Sequence, residues 1–557
     1  MPSIRFQTIK ELCILSLLIA STASAQEPET ARGVVFHDHN QNGQRDQGEE
    51  GIAGVKISNG QQIVLTDAVG NYEIPVDDDT IIFVIKPRDW MTSVDEDNLP
   101  RFYYIHKPAG SPADFRYKGV DPTGPLPESV DFPLARRWEP KQFKALFFGD
   151  TQPRNVQEVE YLAHDLIEPL IEENKKIGAS FGVTLGDVVF DDLDVFAPLN
   201  KAIALLGIPW YNVIGNHDIN FDAQDDKHST ETWQRHYGPA YYSFDHGPVH
   251  FMVLDDILWY IPEGQDRGRY KGGFGPEQME FIRNDLAMIP QDQLVVLMMH
   301  IPLVNVEDRK ELYDLISERP YAMSVSAHTH VQEHIFIDSE DGFQGPEPHH
   351  HVVNVTACGS WWRGAPDERG IPHTTMRDGA PNGYSIFSFD GQNYSIEFRA
   401  AGRPKEYQMN IYAPEEIESS EAAETEILVN VFAGSEKSVV EMRLGADGEW
   451  VPLERISIED PAYVATKARE DAYLAAMMER AERHREAAGE ATNVDEVRGR
   501  RRVQELPFIP LPDANKSPHI WRGRLPADPP EGVHLIEVRT TDMFDQTYND
   551  RRSIRVR

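Results

Sequence analysis

From Phe143 to about residue 400 the chain alternates short apolar runs with helical patterns, which limits this stretch to a layered α/β domain. The strand-like runs are Ala145–Phe148, Phe181–Leu185, Pro209–Ile214, His250–Leu254, Leu294–Met299 and Met323–Ser326. Helical patterns lie between them at roughly 156–177, 194–206, 277–289 and 307–318. Residues 33–136 instead show short strand-like runs separated by Gly, Asn and Asp turns. Residues 405–557 return to β character, interrupted by a charged helical pattern at about 462–491 that reads as a solvated excursion. The chain is thus expected to be multi-domain: a leader at 1–25, an N-terminal β-sandwich at 32–137, a central α/β domain at 141–400 and a C-terminal β-rich domain at 401–557.

The leader has the layout of a secretory signal. Arg5 and Lys10 give the positive region, Leu12 to Ala20 the short apolar run, and Ala23-Ser24-Ala25 the small-x-small cleavage pattern. This predicts export to the periplasm or the extracellular space, with no membrane-spanning segment after cleavage. Of the two cysteines, Cys13 lies in the leader, so Cys358 has no partner for a disulfide within the mature chain and reads as a small buried hydrophobe. The formal net charge of -37 argues against binding nucleic acid or anionic membrane surfaces. A phosphate-bearing substrate would also meet long-range repulsion, which local positive charge has to overcome.

The ends of the central strands carry the chemistry. Gly149-Asp150-Thr151-Gln152 follows the first, Gly186-Asp187 through Asp191 the second, and Gly215-Asn216-His217-Asp218 the third. His300 follows Met299, and Ala327-His328-Thr329-His330 follows Ser326. In open α/β sheets the carboxyl ends of strands are where sites are built. Carboxylate, amide and imidazole donors without cysteine suit a pair of divalent ions such as Mn, Fe or Zn.

These runs, in this order, resemble the calcineurin-like metallophosphoesterases, whose pattern is D-x-H, GD-x-x-x-D, GNH-D/E, an isolated His and GH-x-H. The resemblance implies a two-sheet αββα sandwich and hydrolysis of a phosphate mono- or diester by a hydroxide bridging two metals. It implies Asp150 and His330 on one metal, Asp187 bridging, and Asn216, His300 and His328 on the other. His217 would stabilise developing charge and protonate the leaving oxygen, and Asp218 would orient it. Gln152 stands where the pattern has His; its amide oxygen would be a weaker ligand, or would touch only a bound water. The flanking β-type segments resemble those of secreted bacterial members of the family.

Asp38, Asn40, Asn42, Gln44, Asp46 and Glu49, with Gly43 between, fit a calcium-loop pattern in full and predict one structural calcium ion. Residues 349–384 have two readings. In one they wall the pocket, with Trp361 and Arg369 on the substrate; in the other they form a surface loop, with the triplet His349-His350-His351 simply exposed. The substrate is expected to be a small phosphate ester or a cell-envelope component. An alternative function is a surface binding protein whose catalytic domain is weakened, with Gln152 as the feature in its favour.

Overall fold

The computed structural model describes residues 29–488 and 506–557. The leader and the distal end of the charged helical pattern lie outside the described residues. Among the described residues no helix is long and apolar enough to cross a membrane.

The central domain is built on two sheets packed face to face. The first has five strands in the order Trp210–Val213, Ala179–Leu185, Gln142–Phe148, Gly383–Asp390 and Asn393–Ala400. The first three are parallel, and the closing hairpin joins antiparallel to Gln142–Phe148. The second sheet has six strands in the order Tyr242–His246, Val249–Val253, Leu294–Met298, Ala322–Ser326, His349–Val353 and Glu333–Ile337. Aromatic rings fill the space between them: Phe181 meets Phe251 edge-on at 5.2 Å, and Phe143 stacks on Phe389 at 4.9 Å.

Helices Val156–Leu162 and Glu168–Ile177, joined by a π-helical turn at Ala163–Ile167, pack with Phe196–Ala204; Gly275–Leu286 packs with Arg309–Ile316. Asn155 caps the first helix by accepting from the Glu158 amide, while the Glu158 carboxylate reaches back to the Arg154 amide.

Ahead of this domain lie two four-stranded sheets. One has Glu29–His37 and Phe132–Arg136 paired in parallel at its centre, and the other is centred on Lys56–Ser58 and Thr80–Ile85. Their apolar side chains are continuous with the central core, where Phe83 meets Phe281 at 5.7 Å and Phe102 meets Tyr242 at 4.7 Å. The C-terminal region forms two further sheets around its own apolar core, which includes Val429, Trp521, Ile536 and Val538.

Two expectations need correction. The helix Pro461–Ala488 is not wholly a solvated excursion, because Tyr463, Glu470 and Leu474 are buried. Glu470 accepts hydrogen bonds from the amides of Ala365 and Leu511, pinning the helix to the segment after the last strand-end motif. The histidine triplet is not exposed either: His349–Val353 is a buried strand in which Ser324 and Ser326 on the neighbouring strand partner His349 and His351, while His350 is partnered by His334 and Tyr394.

Candidate metal centre

All five strand-end runs converge. His300, directly after Leu294–Met298, is fully buried, and its Nδ1–H donates to the Leu185 carbonyl at 2.8 Å. That leaves Nε2 facing inward, 3.2 Å from Asn216 Oδ1, 3.2 Å from Asp187 Oδ1 and 3.1 Å from His328 Nδ1. Donor atoms of Asp187, His300 and His328 lie within 4.8 Å of one another. Beside them, His330 donates through Nδ1–H to the Gly359 carbonyl and points Nε2 at Asp150 Oδ2, 3.0 Å away. That carboxylate oxygen is buried without a hydrogen-bond partner, while Asp150 Oδ1 accepts the His328 amide at 3.1 Å.

The electrostatics ask for positive charge. Burial works against protonation of His300, but Asp187 and then Asp150 outweigh it and push His300 up to about 10. Asp187 is itself held below the usual carboxylate range: burial opposes ionisation, and His300 and His217 more than compensate. Lone pairs and carboxylate oxygens collected in one buried place fit divalent cations.

The backbone makes the convergence possible. Gly215 lets its loop cross the next one, since a Cβ there would lie 2.0 Å from the Asp187 nitrogen. Gly186 passes equally close to the His300 ring. Asp150, Gln152, Asp187, His328 and His330 all adopt left-handed backbone, with φ between 25° and 71°. Such conformations are uncommon outside glycine and cluster at functional sites.

The structure adds residues that the sequence reading passed over. His217 was expected to lean on Asp218, but its Nδ1 pairs with Asp191 at 2.5 Å. Asp218 is buried beneath the loops, where it accepts the amides of Val188, Val189 and Gly215. Three converging N–H groups hold its carboxylate there, out of the imidazole's reach. Asp191, the last residue of the GD-x-x-x-D run, was the available signal. Phe190 stacks on the other side of the site's chemistry, 4.3 Å from the His217 ring. Burial opposes charge on His217, but Asp187 and Asp191 raise its pKa above the ordinary value.

Gln152 is brought to the centre with its amide nitrogen, not its oxygen, towards Asp187 Oδ2 at 2.8 Å. Its oxygen faces the buried Cys358 thiol at 3.7 Å. Trp361 lies over His330, with ring centroids 3.9 Å apart. Arg369 is engaged elsewhere, with Asp165 and Asp367. A second trio, Asp79, His228 and Glu231, also comes together, but Lys107 Nζ lies 2.8 Å from Asp79 and 2.6 Å from Glu231 and supplies the positive charge there.

In the N-terminal loop, Asp38 accepts the amides of Asn42 and Gly43, and Glu49 accepts those of His39 and Asp46. The side-chain amides of Asn40 and Asn42 converge on Asp46, and Gln44 donates its amide to Asn42.

Two β-sheets with a buried carboxylate–imidazole–amide cluster at their strand ends are the framework of a metal-dependent hydrolase. The chain belongs to the calcineurin-like phosphoesterases: models of the family's N-terminal, catalytic and C-terminal regions match residues 39–120, 143–332 and 351–494. It is a metal-dependent phosphoric ester hydrolase. Among solved structures it is similar to a dimetal phosphatase from Danio rerio, at 12% identity and TM-score 0.31, covering 46% of this chain and 96% of that one. It is also similar to a purple acid phosphatase from yellow lupin (Lupinus luteus) seeds, at 12% identity and TM-score 0.35, covering 63% and 69%. No curated protein matches the chain.

Proposed function

We propose that the protein is an exported phosphoesterase that hydrolyses a phosphate mono- or diester with two divalent metals. The convergence of Asp187, Asn216 and His328 on His300 Nε2 carries this reading. These four would hold one metal; Asp150 and His330, with Asp187 shared, would hold the other. Gln152 would join them only with its amide turned, so its part at this second metal is weaker. When bound, the metals supply Lewis acidity to the phosphoryl oxygens and lower the pKa of attacking water.

The chain's own residues do the rest. Asp191 fixes the His217 ring through Nδ1, leaving Nε2 to carry the proton for the leaving group. That proton passes to the leaving oxygen as its bond to phosphorus breaks, while oxygen from water completes the product phosphate. Asp218 locks the two loops carrying Asp187 and His217 against each other. The leader's charge, apolar run and cleavage pattern support export, and the complete oxygen-ligand spacing from Asp38 to Glu49 supports a structural calcium.

The test is hydrolysis of p-nitrophenyl phosphate and bis-p-nitrophenyl phosphate after Mn²⁺ or Zn²⁺ loading, with His217→Ala as control. Metal-dependent turnover that falls in the variant supports the reading. A protein that binds metal but turns over neither ester would favour the binding-protein alternative, to which the donating Gln152 amide lends its weight.

A further inference from the structure

Next to the metal centre lies positive charge that the protein itself leaves unsatisfied. Arg154 donates from Nη1 to Glu158 at 3.1 Å and to the Trp361 carbonyl at 2.6 Å, yet its Nη2 is buried without a hydrogen-bond partner. Its guanidinium lies over Phe190, 4.6 Å from the ring centroid, and Phe190 is the ring that stacks on His217. Arg363 has no carboxylate or carbonyl partner among the described residues. It rests on the Trp361 ring at 5.6 Å, with a buried Nε that has nothing to donate to. Arg377 approaches the same ring at 5.9 Å. Trp361 in turn covers His330.

This arrangement is not a by-product of composition. The chain has 91 acidic residues against 54 basic ones, so carboxylates are the abundant partner for an arginine. Here Glu158 is the carboxylate that Arg154 pairs with, and burial and then Arg154 lower the pKa of the half-buried Arg363, which stays charged. A buried donor without an acceptor is costly, and guanidinium groups match phosphoryl oxygens in geometry and charge. Neither arginine touches a residue of the metal cluster directly. Each is one aromatic ring removed, Arg154 behind Phe190 and His217, and Arg363 behind Trp361 and His330. That is the place of a group next to the reacting phosphate, not of the reacting phosphate itself.

We propose that Arg154 and Arg363 form a subsite for a second phosphoryl group, so that the substrates are phosphate esters carrying another phosphoryl group beyond the scissile one. This rests on the phosphoesterase reading above and narrows it. It also explains how so acidic a protein draws in a multiply charged anion: the local field of the arginines and metals opposes the global one.

The test uses two matched pairs that differ only in the distal group. Propyl phosphate and propane-1,3-diol bisphosphate serve as substrates for the metal-loaded full chain. Propylphosphonate and propane-1,3-bisphosphonate serve as non-hydrolysable ligands in calorimetry. The wild type should prefer the member with two phosphorus groups in each pair by about tenfold or more, as a charge-assisted contact provides. Arg363→Gln should bring the binding ratio close to one, with the preference lost in KM rather than kcat, and Arg363→Lys should recover part of it. Arg363 is the first choice because Arg154 also supports Trp361; thermal unfolding of each variant checks that it is folded. A wild-type ratio near one, or a ratio that survives Arg363→Gln, overturns the subsite while leaving the phosphoesterase reading standing. A wild type that hydrolyses neither ester, nor p-nitrophenyl phosphate, nor bis-p-nitrophenyl phosphate overturns both.

Discussion

Mild acid should strain this protein through four histidines that are buried in the neutral form. His334, His349, His350 and His351 sit buried on adjacent strands. Burial pushes His334 and His349 down to about 4 and His351 to about 3, and holds His350 well below the ordinary value. The hydrogen bonds show why the neutral form is required. His351 Nε2 accepts from the Leu303 amide and lies 2.9 Å from the Ser326 hydroxyl, so a proton there would face two donors. His334 and His350 share one imidazole-to-imidazole bond of 2.9 Å, which needs a lone pair on one ring.

In the unfolded chain each of the four titrates near 6.5. Below that pH the unfolded state takes up protons that the folded state refuses, so stability falls as pH falls. At pH 5 the loss is about 2 kcal/mol for each of His334, His349 and His351 and roughly 6 kcal/mol for the three, with His350 acting in the same direction. That is comparable to the whole stability of a typical domain, about 5–15 kcal/mol. Urea unfolding followed by tryptophan fluorescence from pH 7.5 down to pH 5 measures it. His351→Asn should recover about 2 kcal/mol of the difference between those limits. A stability that stays flat across that range would refute the argument, and with it the assignment of these imidazoles as neutral core residues.

Three further outcomes are expected. Asp187→Ala should abolish turnover and remove the paired metals together, read by rate and by elemental analysis of the purified protein; full activity would end the two-metal reading. Asp218→Ala should cost about 3 kcal/mol or more in urea unfolding, because three buried amides lose their acceptor. Asp218→Asn, which keeps one oxygen, should cost less. Calcium should raise the melting temperature and a chelator lower it, with the difference gone in Asp38→Ala; no shift with calcium would retire the loop as a cation site.

The parallel strands and the groups at their ends were legible because each is an apolar run stopped by a polar residue, with a glycine between in three of the five. The helix at 156–177 was legible too, though not its π-helical turn, since one added residue per turn leaves the apolar spacing almost unchanged. The strand His349–Val353 was hidden by its composition: three histidines read as polar, and only the serines opposite show how they are buried. Asp218 was misjudged because adjacency in sequence to His217 suggested contact. The tight turn instead sends its carboxylate down to backbone amides and leaves the imidazole to Asp191, 26 positions earlier. Arg154 and Arg363 gave no sequence signal, since unpaired charge is a property of the assembled pocket.

The left-handed turns beneath the metal centre also bear on how such a protein can change. Asp, Asn and His tolerate that backbone far better than β-branched residues do, so the same geometry that sharpens the loops filters which ligands can ever be tried there. Carboxylate, amide and imidazole can replace one another by single substitutions without rebuilding a turn. Gln152, at φ 42° where the family pattern carries histidine, is one such exchange already made.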